Sequence, residues 1–152
     1  MKSFNMSVIA AFLLVTAFGG GGLLNTDNAA AAEQQATKGG AKIVVTYFRG
    51  DIRCATCINL EAYSDEAVEQ GFPEEIANGT VEFKTVNIDE EDNRHFVKDY
   101  QLDSRSVVVS RIENGKEIKW KNLDMIWHLV GNKEKFMAYI KAETKNMMEG
   151  KS

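Results

Sequence analysis

Two cysteines, Cys54 and Cys57, are the residues of this 152-residue chain whose type and spacing best support chemistry, and the chain contains no other cysteine. They follow a short apolar run at residues 43–48, whose β-branched and aromatic side chains predict a buried strand. Cys54 falls just beyond the carboxyl end of that strand, where a loop leads into a helix. Open α/β sheets place their sites at such strand ends. The spacing therefore predicts two thiols on the first turn of a helix.

The two thiols are expected to differ in reactivity. A thiol at a helix N-terminus meets the positive end of the helix dipole and unpaired backbone N–H groups, and both favour the thiolate. Arg53 stands next to Cys54 in the sequence and adds a positive charge. We therefore predict that Cys54 is the nucleophile. Cys57, one helical turn further on, is expected to lie deeper, to titrate higher and to act as the resolving thiol.

The composition is that of an ordinary globular domain. Hydrophobic residues make up 44% and charged residues 26%, and the net charge is -4. The length suits one domain with a real core. No dense Lys/Arg run or basic face with interleaved aromatics is present, so no nucleic-acid partner is expected. The glycines at 19–22 lack the strand and the Lys-Ser/Thr pair that a phosphate-binding loop requires.

The first 32 residues have the pattern of a secretory signal peptide. Lys2 provides a positive start, residues 8–18 an apolar stretch, and the alanines at 29–32 a small-residue cleavage site. We expect cleavage after Ala32, with the mature protein periplasmic or otherwise secreted and not attached to a membrane. An uncleaved N-terminal anchor is the alternative, but the apolar stretch is short for a membrane span.

The rest of the chain divides into a flexible leader at 33–40, a domain at 41–147 and a disordered tail at 148–152. Strands are predicted at 43–48, 81–88, 107–112 and 117–121, and the Asn114-Gly115 pair predicts a hairpin between the last two. Helices are predicted from the cysteines to about residue 77, at 91–100 and at 133–147. Ser64 is expected to interrupt the first helix as a new N-cap.

Several side chains outside the cysteine pair have expected locations. Trp120, Met125 and Trp127 are predicted as core residues rather than as a cofactor site. His95 is expected on the surface, and His128 is expected to pack against its neighbours.

This order of elements resembles the thioredoxin-like superfamily over about residues 43–142. The resemblance implies an α/β fold of the order β-α-β-α-β-β-α, with a mixed sheet of about four strands flanked by helices. Within the superfamily the chain resembles an exported group labelled nitrophenyl compound nitroreductase subunits (ArsF-type). That finer resemblance is carried by residues 47–50, Arg53, Cys54, Cys57, residues 61–63, Trp120 and Trp127. No flavin or nicotinamide motif is present, so no cofactor is expected.

The chain departs from the thioredoxin pattern at two positions. By alignment, the family's cis-proline opposite the cysteines corresponds to Ser106, because Pro73 is the only proline and lies elsewhere. The family's buried acid in the strand before the cysteines corresponds to Thr46. Proton transfer and substrate capture are therefore expected to differ from those of thioredoxin, and Ser106 is expected to support the site in place of the proline.

We expect a thiol-disulfide oxidoreductase that acts as a monomer on a protein dithiol or disulfide, with a membrane redox partner as one candidate for restoring its thiol state. Whether it is an oxidant, a reductant or an isomerase stays open. A purely structural disulfide is disfavoured, because so small a loop removes little chain entropy.

Two rivals use the same thiols differently. One is a periplasmic protein that carries copper(I) or arsenic(III) to a partner, and the other is an accessory subunit with a redox-inert pair. A resident zinc site is not expected, since there is no second cysteine pair and His95 and His128 lack ligand spacing.

Overall fold

A computed structural model of the chain describes residues 40–151. The predicted signal peptide, and the leader up to residue 39, lie outside the described residues. The elements follow one another as β1 (Lys42–Arg49), α1 (Ala55–Gly71), α2 (Pro73–Ala77), β2 (Val81–Asn87), a 3-10 turn (Glu91–Asn93), α3 (His95–Asp99), β3 (Ser106–Glu113), β4 (Lys116–Asn122), α4 (Ile126–Leu129) and α5 (Lys133–Met148). None of the helices in this range is both long and apolar enough to cross a bilayer.

The four strands form one mixed sheet in the order β2-β1-β3-β4. β1 pairs with β2 in parallel, whereas β3 is antiparallel to both β1 and β4. A parallel pair needs a crossover connection, and α1 and α2 provide it. The structure confirms the predicted class: an α/β, thioredoxin-like arrangement with a Cys-x-x-Cys sequence at the amino end of the first helix.

The sheet buries side chains on both faces because successive residues of a strand point in opposite directions. On one face Tyr47 lies in a large cluster with Leu60 of α1 and Phe136 of α5. On the other face Phe48 packs against Phe96 and Tyr100, with ring centroids 5.3 Å away in both cases. The larger cluster fastens α1, and with it the cysteines, to the sheet.

The hairpin between β3 and β4 has the turn that its sequence predicts. Asn114 has a φ of 53° and Gly115 a φ of 75°. Both values lie in the left-handed region, which the central residues of a type I′ turn require. The turn thereby sets the β3–β4 pairing, in which Glu113 lies opposite Lys116.

The expected interruption of the first helix at Ser64 is wrong, since α1 continues to Gly71. The Ser64 hydroxyl donates to the backbone carbonyl of Leu60 at 2.6 Å and is fully buried. A serine satisfied in this way is tolerated inside a helix, so it does not act as an N-cap. The helix instead ends before Pro73, the first residue of α2.

The expected locations of three residues that follow β4 are also wrong. Met125 and Trp127 are 43% and 38% exposed, and His128 is exposed. Within the short helix α4, only Ile126 is buried in the core. The Trp127 indole N–H donates to the carbonyl of Arg105 at 2.9 Å, which places its ring on the surface. His95 is exposed, as predicted, and Trp120 is partly buried edge-on to Tyr100.

A substitution at Gly50, the buried residue after β1, is expected to disturb the loop before Cys54. A Cβ there would lie 2.5 Å from an Arg105 guanidinium nitrogen and 2.7 Å from a carboxylate oxygen of Asp89. These side-chain ends must move to admit a methyl group, which takes Asp89 away from the Asp51 N–H, so Gly50→Ala should lower the free energy of unfolding by about 1 kcal/mol, the usual net contribution of a hydrogen bond. Gly131→Ala, where a Cβ meets nothing within 4 Å, is the matched control. Urea denaturation showing equal stability for the two variants would contradict the steric argument.

Candidate thiol site

Cys54 and Cys57 form a disulfide across the first turn of α1, with Cα atoms 5.0 Å apart. Cys54 is the N-cap of the helix, in an extended conformation, and its Sγ accepts the Cys57 backbone N–H at 3.1 Å. Cys54 is exposed, whereas Cys57 is only 6% exposed. One sulfur therefore faces solvent at the positive end of a 17-residue helix, and the other lies beneath it.

The residue of β1 that faces the cysteines is Tyr47. Its hydroxyl donates to the backbone carbonyl of Cys57 at 2.9 Å, and its side chain is fully buried. Burial, and then the Glu61 carboxylate, raise the pKa of Tyr47 to about 12, against the opposing effect of nearby arginines. The phenol therefore stays neutral at ordinary pH and remains a hydrogen-bond donor.

The expectation that Thr46 takes the place of the family's buried acid is wrong. Thr46 lies on the other face of the sheet, lining a cavity of about 340 Å³ together with Val44 and Phe48. Because side chains alternate along a strand, a one-residue difference in alignment exchanges the two faces. A tyrosine, and not a threonine, faces the cysteines.

Glu61 lies one turn after Cys57 on α1 and is held at both carboxylate oxygens. One oxygen accepts the Thr85 hydroxyl of β2 at 3.2 Å, and the other forms an ion pair with Arg53. Thr85 is the β2 partner of Tyr47 in the parallel register. These two paired residues therefore both bind α1, Tyr47 at the Cys57 carbonyl and Thr85 at the Glu61 carboxylate. Arg53, whose positive charge is expected to favour the Cys54 thiolate, is therefore also paired with the Glu61 carboxylate.

The loop between β1 and Cys54 is attached to the end of β2. The backbone N–H of Asp51 donates to Asp89 at 2.8 Å, and the Asn87 amide donates to the Asp51 carboxylate at 2.8 Å. These bonds fix the position of the loop that contains Arg53 and leads into the first turn of α1.

Ser106 is the first residue of β3 and pairs with Phe48, near the end of β1. It is 5% exposed, and its hydroxyl donates to the carbonyl of Ser104 at 3.2 Å. The preceding Arg105 acts electrostatically on Tyr47 and has a buried Nε with no hydrogen-bond partner. Of the predicted site residues, Cys54, Cys57 and Arg53 come together at the start of α1. Ser106 lies on the neighbouring strand.

Neither a protein-family model nor a curated protein matches this sequence. Among solved structures, one described as the structure of a malarial protein is similar with a TM-score of 0.40 and 15% identity, over 66% of this chain and 96% of that one. Thioredoxin f2 of Chlamydomonas reinhardtii is similar with a TM-score of 0.38 and 19% identity, over 73% and 83% respectively. The strand order and the placement of the helices define the fold.

Within residues 40–151, no three or more His, Cys, Asp and Glu side chains are grouped so that they could hold a metal ion. The cysteine pair offers two sulfurs, and a further ligand for a soft metal would have to come from another residue type, from solvent or from a partner.

Three residues around the site were not assigned a function from the sequence: Tyr47, Glu61 and Thr85. Glu61 could have been found, since the i,i+4 spacing from Cys57 puts both on one helix face. Tyr47 and Thr85 depend on the register of a parallel strand pair about 40 residues apart in sequence, and local patterns carry no signal for that register.

Proposed function

We propose that this protein is an exported thiol-disulfide oxidoreductase that acts as a monomer through the Cys54–Cys57 pair. The observation that carries the proposal is the asymmetry of the pair, with Cys54 exposed as the helix N-cap and Cys57 buried beneath it. A structural bridge has no need of an exposed sulfur at a helix N-terminus, and a three-residue spacing gives it little stabilising value.

The reaction proceeds in two exchanges. The Cys54 thiolate attacks one sulfur of a substrate disulfide, whose S–S bond breaks and whose other sulfur leaves as a thiolate. Cys57 then loses its proton and attacks Cys54 Sγ, which closes the protein disulfide and releases the second substrate sulfur. Two electrons pass from the protein to the substrate, and the reverse sequence oxidises a dithiol.

A protein substrate suits the surface around Cys54. Ile52, two residues before it, is 75% exposed, and Ile58, one helical turn after it, is 48% exposed. Two exposed aliphatic side chains on either side of the reactive sulfur offer apolar contact to a polypeptide. A small thiol such as glutathione has less apolar surface to bury there.

Export to the periplasm or another secreted location remains a prediction from residues 1–32, and so does the resemblance to the nitroreductase-subunit group. Intact-mass analysis of the protein from its native host tests the first. A mature chain beginning at Glu33 in the soluble periplasmic fraction supports export, whereas residues 1–32 retained in a membrane fraction contradict cleavage.

Equilibration of the purified protein with glutathione buffers tests the proposed chemistry. A redox-active pair is expected to have a reduction potential between about -270 and -120 mV, the range of thioredoxin and its exported oxidant relatives. A value below about -300 mV, typical of structural disulfides, would contradict the proposal. A copper(I) titration of the reduced protein against a competing chelator, run in parallel, tests the metal-carrier alternative.

A further inference from the structure

The resolving step requires a base that the two cysteines do not supply. Cys57 must attack as a thiolate, but it is only 6% exposed, and burial disfavours the charged form of a thiol. Bulk water has little access to it. A protein group close to Cys57 is therefore needed to accept its proton.

Tyr47 touches the Cys57 residue but is unsuited to that role. Its hydroxyl already donates to the Cys57 carbonyl, and its pKa of about 12 keeps it protonated. The arginines that act on Tyr47 are Arg53, Arg105 and Arg49, and a guanidinium group cannot accept a proton.

The nearby carboxylates differ in position. Asp51 and Asp89 lie in the loop after β1 and just after β2, and their bonds join those two segments rather than α1. Asp65 lies eight residues after Cys57 on α1, two turns along the helix, where burial, and then the charges of Glu69 and Glu61, raise its pKa. Glu61 is one turn from Cys57 on the same helix face.

Two contacts fix the Glu61 carboxylate beside the first turns of α1, close enough to Tyr47 to act on it electrostatically. Thr85 of β2 donates to one carboxylate oxygen and Arg53 pairs with the other. Tyr47, which is paired with Thr85 on the neighbouring strand, donates to the Cys57 carbonyl. The Glu61 side chain is 23% exposed, which leaves it a path to exchange a proton with solvent.

We propose that Glu61 accepts the Cys57 proton in the resolving step, an inference that rests on the proposed function. The Cys57 S–H bond breaks and the proton passes to the Glu61 carboxylate. The sulfur electron pair forms the bond to Cys54 Sγ, the bond from Cys54 Sγ to the substrate sulfur breaks, and the substrate leaves as a thiolate. In the reverse direction the protonated carboxyl returns its proton to the Cys57 thiolate.

Reaction of the fully reduced protein with 5,5′-dithiobis(2-nitrobenzoate), followed by stopped-flow absorbance, separates the two steps. The first thionitrobenzoate reports the attack by Cys54, and the second reports the attack by Cys57 on the mixed disulfide. Glu61→Gln should slow the second release by about a hundredfold near pH 6.5, the lower end of the range for general acid–base catalysis. The difference should shrink towards pH 9.5, where a thiol ionises without help.

Glu66→Gln is the matched control, because Glu66 lies on the same helix and pairs with Lys133 of α5, away from the cysteines. It should resolve at the wild-type rate at every pH, and Glu61→Asp should recover part of the lost rate. Circular dichroism checks that the variants are folded.

Two results would overturn the inference alone: a second release in Glu61→Gln equal to wild type, or one slowed by the same factor at all pH values. A wild-type protein that never releases the second equivalent would overturn both this inference and the proposed function.

Discussion

Cys54→Ser is expected to reduce turnover in insulin reduction by at least about a thousandfold, as the loss of a nucleophile does in other covalent catalysts. The remaining thiol, Cys57, is 6% exposed and cannot meet a protein disulfide directly. A hydroxyl at position 54 can still cap α1 but cannot exchange with sulfur. The folded state should therefore persist while the chemistry is lost.

Cys57→Ser is the matched variant and should fail differently. Its Cys54 thiolate can still attack, so the variant should accumulate a mixed disulfide with the substrate that is visible by intact mass. Cys54 should also alkylate faster than Cys57 at neutral pH, with each thiol measured in the variant that lacks the other. Equal alkylation rates would contradict the assignment of nucleophile and resolving thiol.

Much of the fold could be predicted because its signals are local. The apolar run that becomes β1, the Asn114-Gly115 turn and the apolar positions of α5 each appear within a few residues of sequence. On α5 the predicted inward residues Phe136, Ile140 and Met147 are all fully buried. The position of the cysteines at the start of α1 follows from the same kind of signal, since a strand end followed by a helical pattern places them there.

The errors come from contacts between elements. Ser64 has the residue type of an N-cap, but its hydroxyl is satisfied by the preceding turn, so the helix continues. Trp127 is as apolar as a core residue, yet its N–H binds the carbonyl of Arg105 on the loop before β3.

The detail of the site depends on such contacts as well. Whether Thr46 or Tyr47 faces the cysteines is decided by which face of β1 packs under α1. Side chains alternate between the two faces along a strand, so the sequence is compatible with either choice. The contact of Glu61 with Thr85 depends on the β1–β2 register. The cysteine pair could therefore be recognised from the sequence, while the groups that position it and exchange its protons required the folded chain.

Phe136→Ala is expected to lower the free energy of unfolding by about 3–5 kcal/mol, the usual effect of removing a buried aromatic ring. Phe136 is fully buried and meets the Tyr63 ring of α1 edge-on, with centroids 5.8 Å apart. This contact is one of those that fasten α1 to α5. A loss of this size is a large part of the stability of a typical domain.

The same variant separates stability from redox tuning. Phe136 shares the larger cluster with Tyr47, but the substitution removes no atom of the Tyr47 hydrogen bond or of the Arg53–Glu61 ion pair. The reduction potential of folded Phe136→Ala should therefore stay within about 30 mV of wild type, a tenfold change in equilibrium constant. Ile118→Ala, at a half-exposed position on β4, is the control and should change neither quantity appreciably. A larger shift in Phe136→Ala would show that packing across the whole domain, rather than the groups around the first turn of α1, sets the potential.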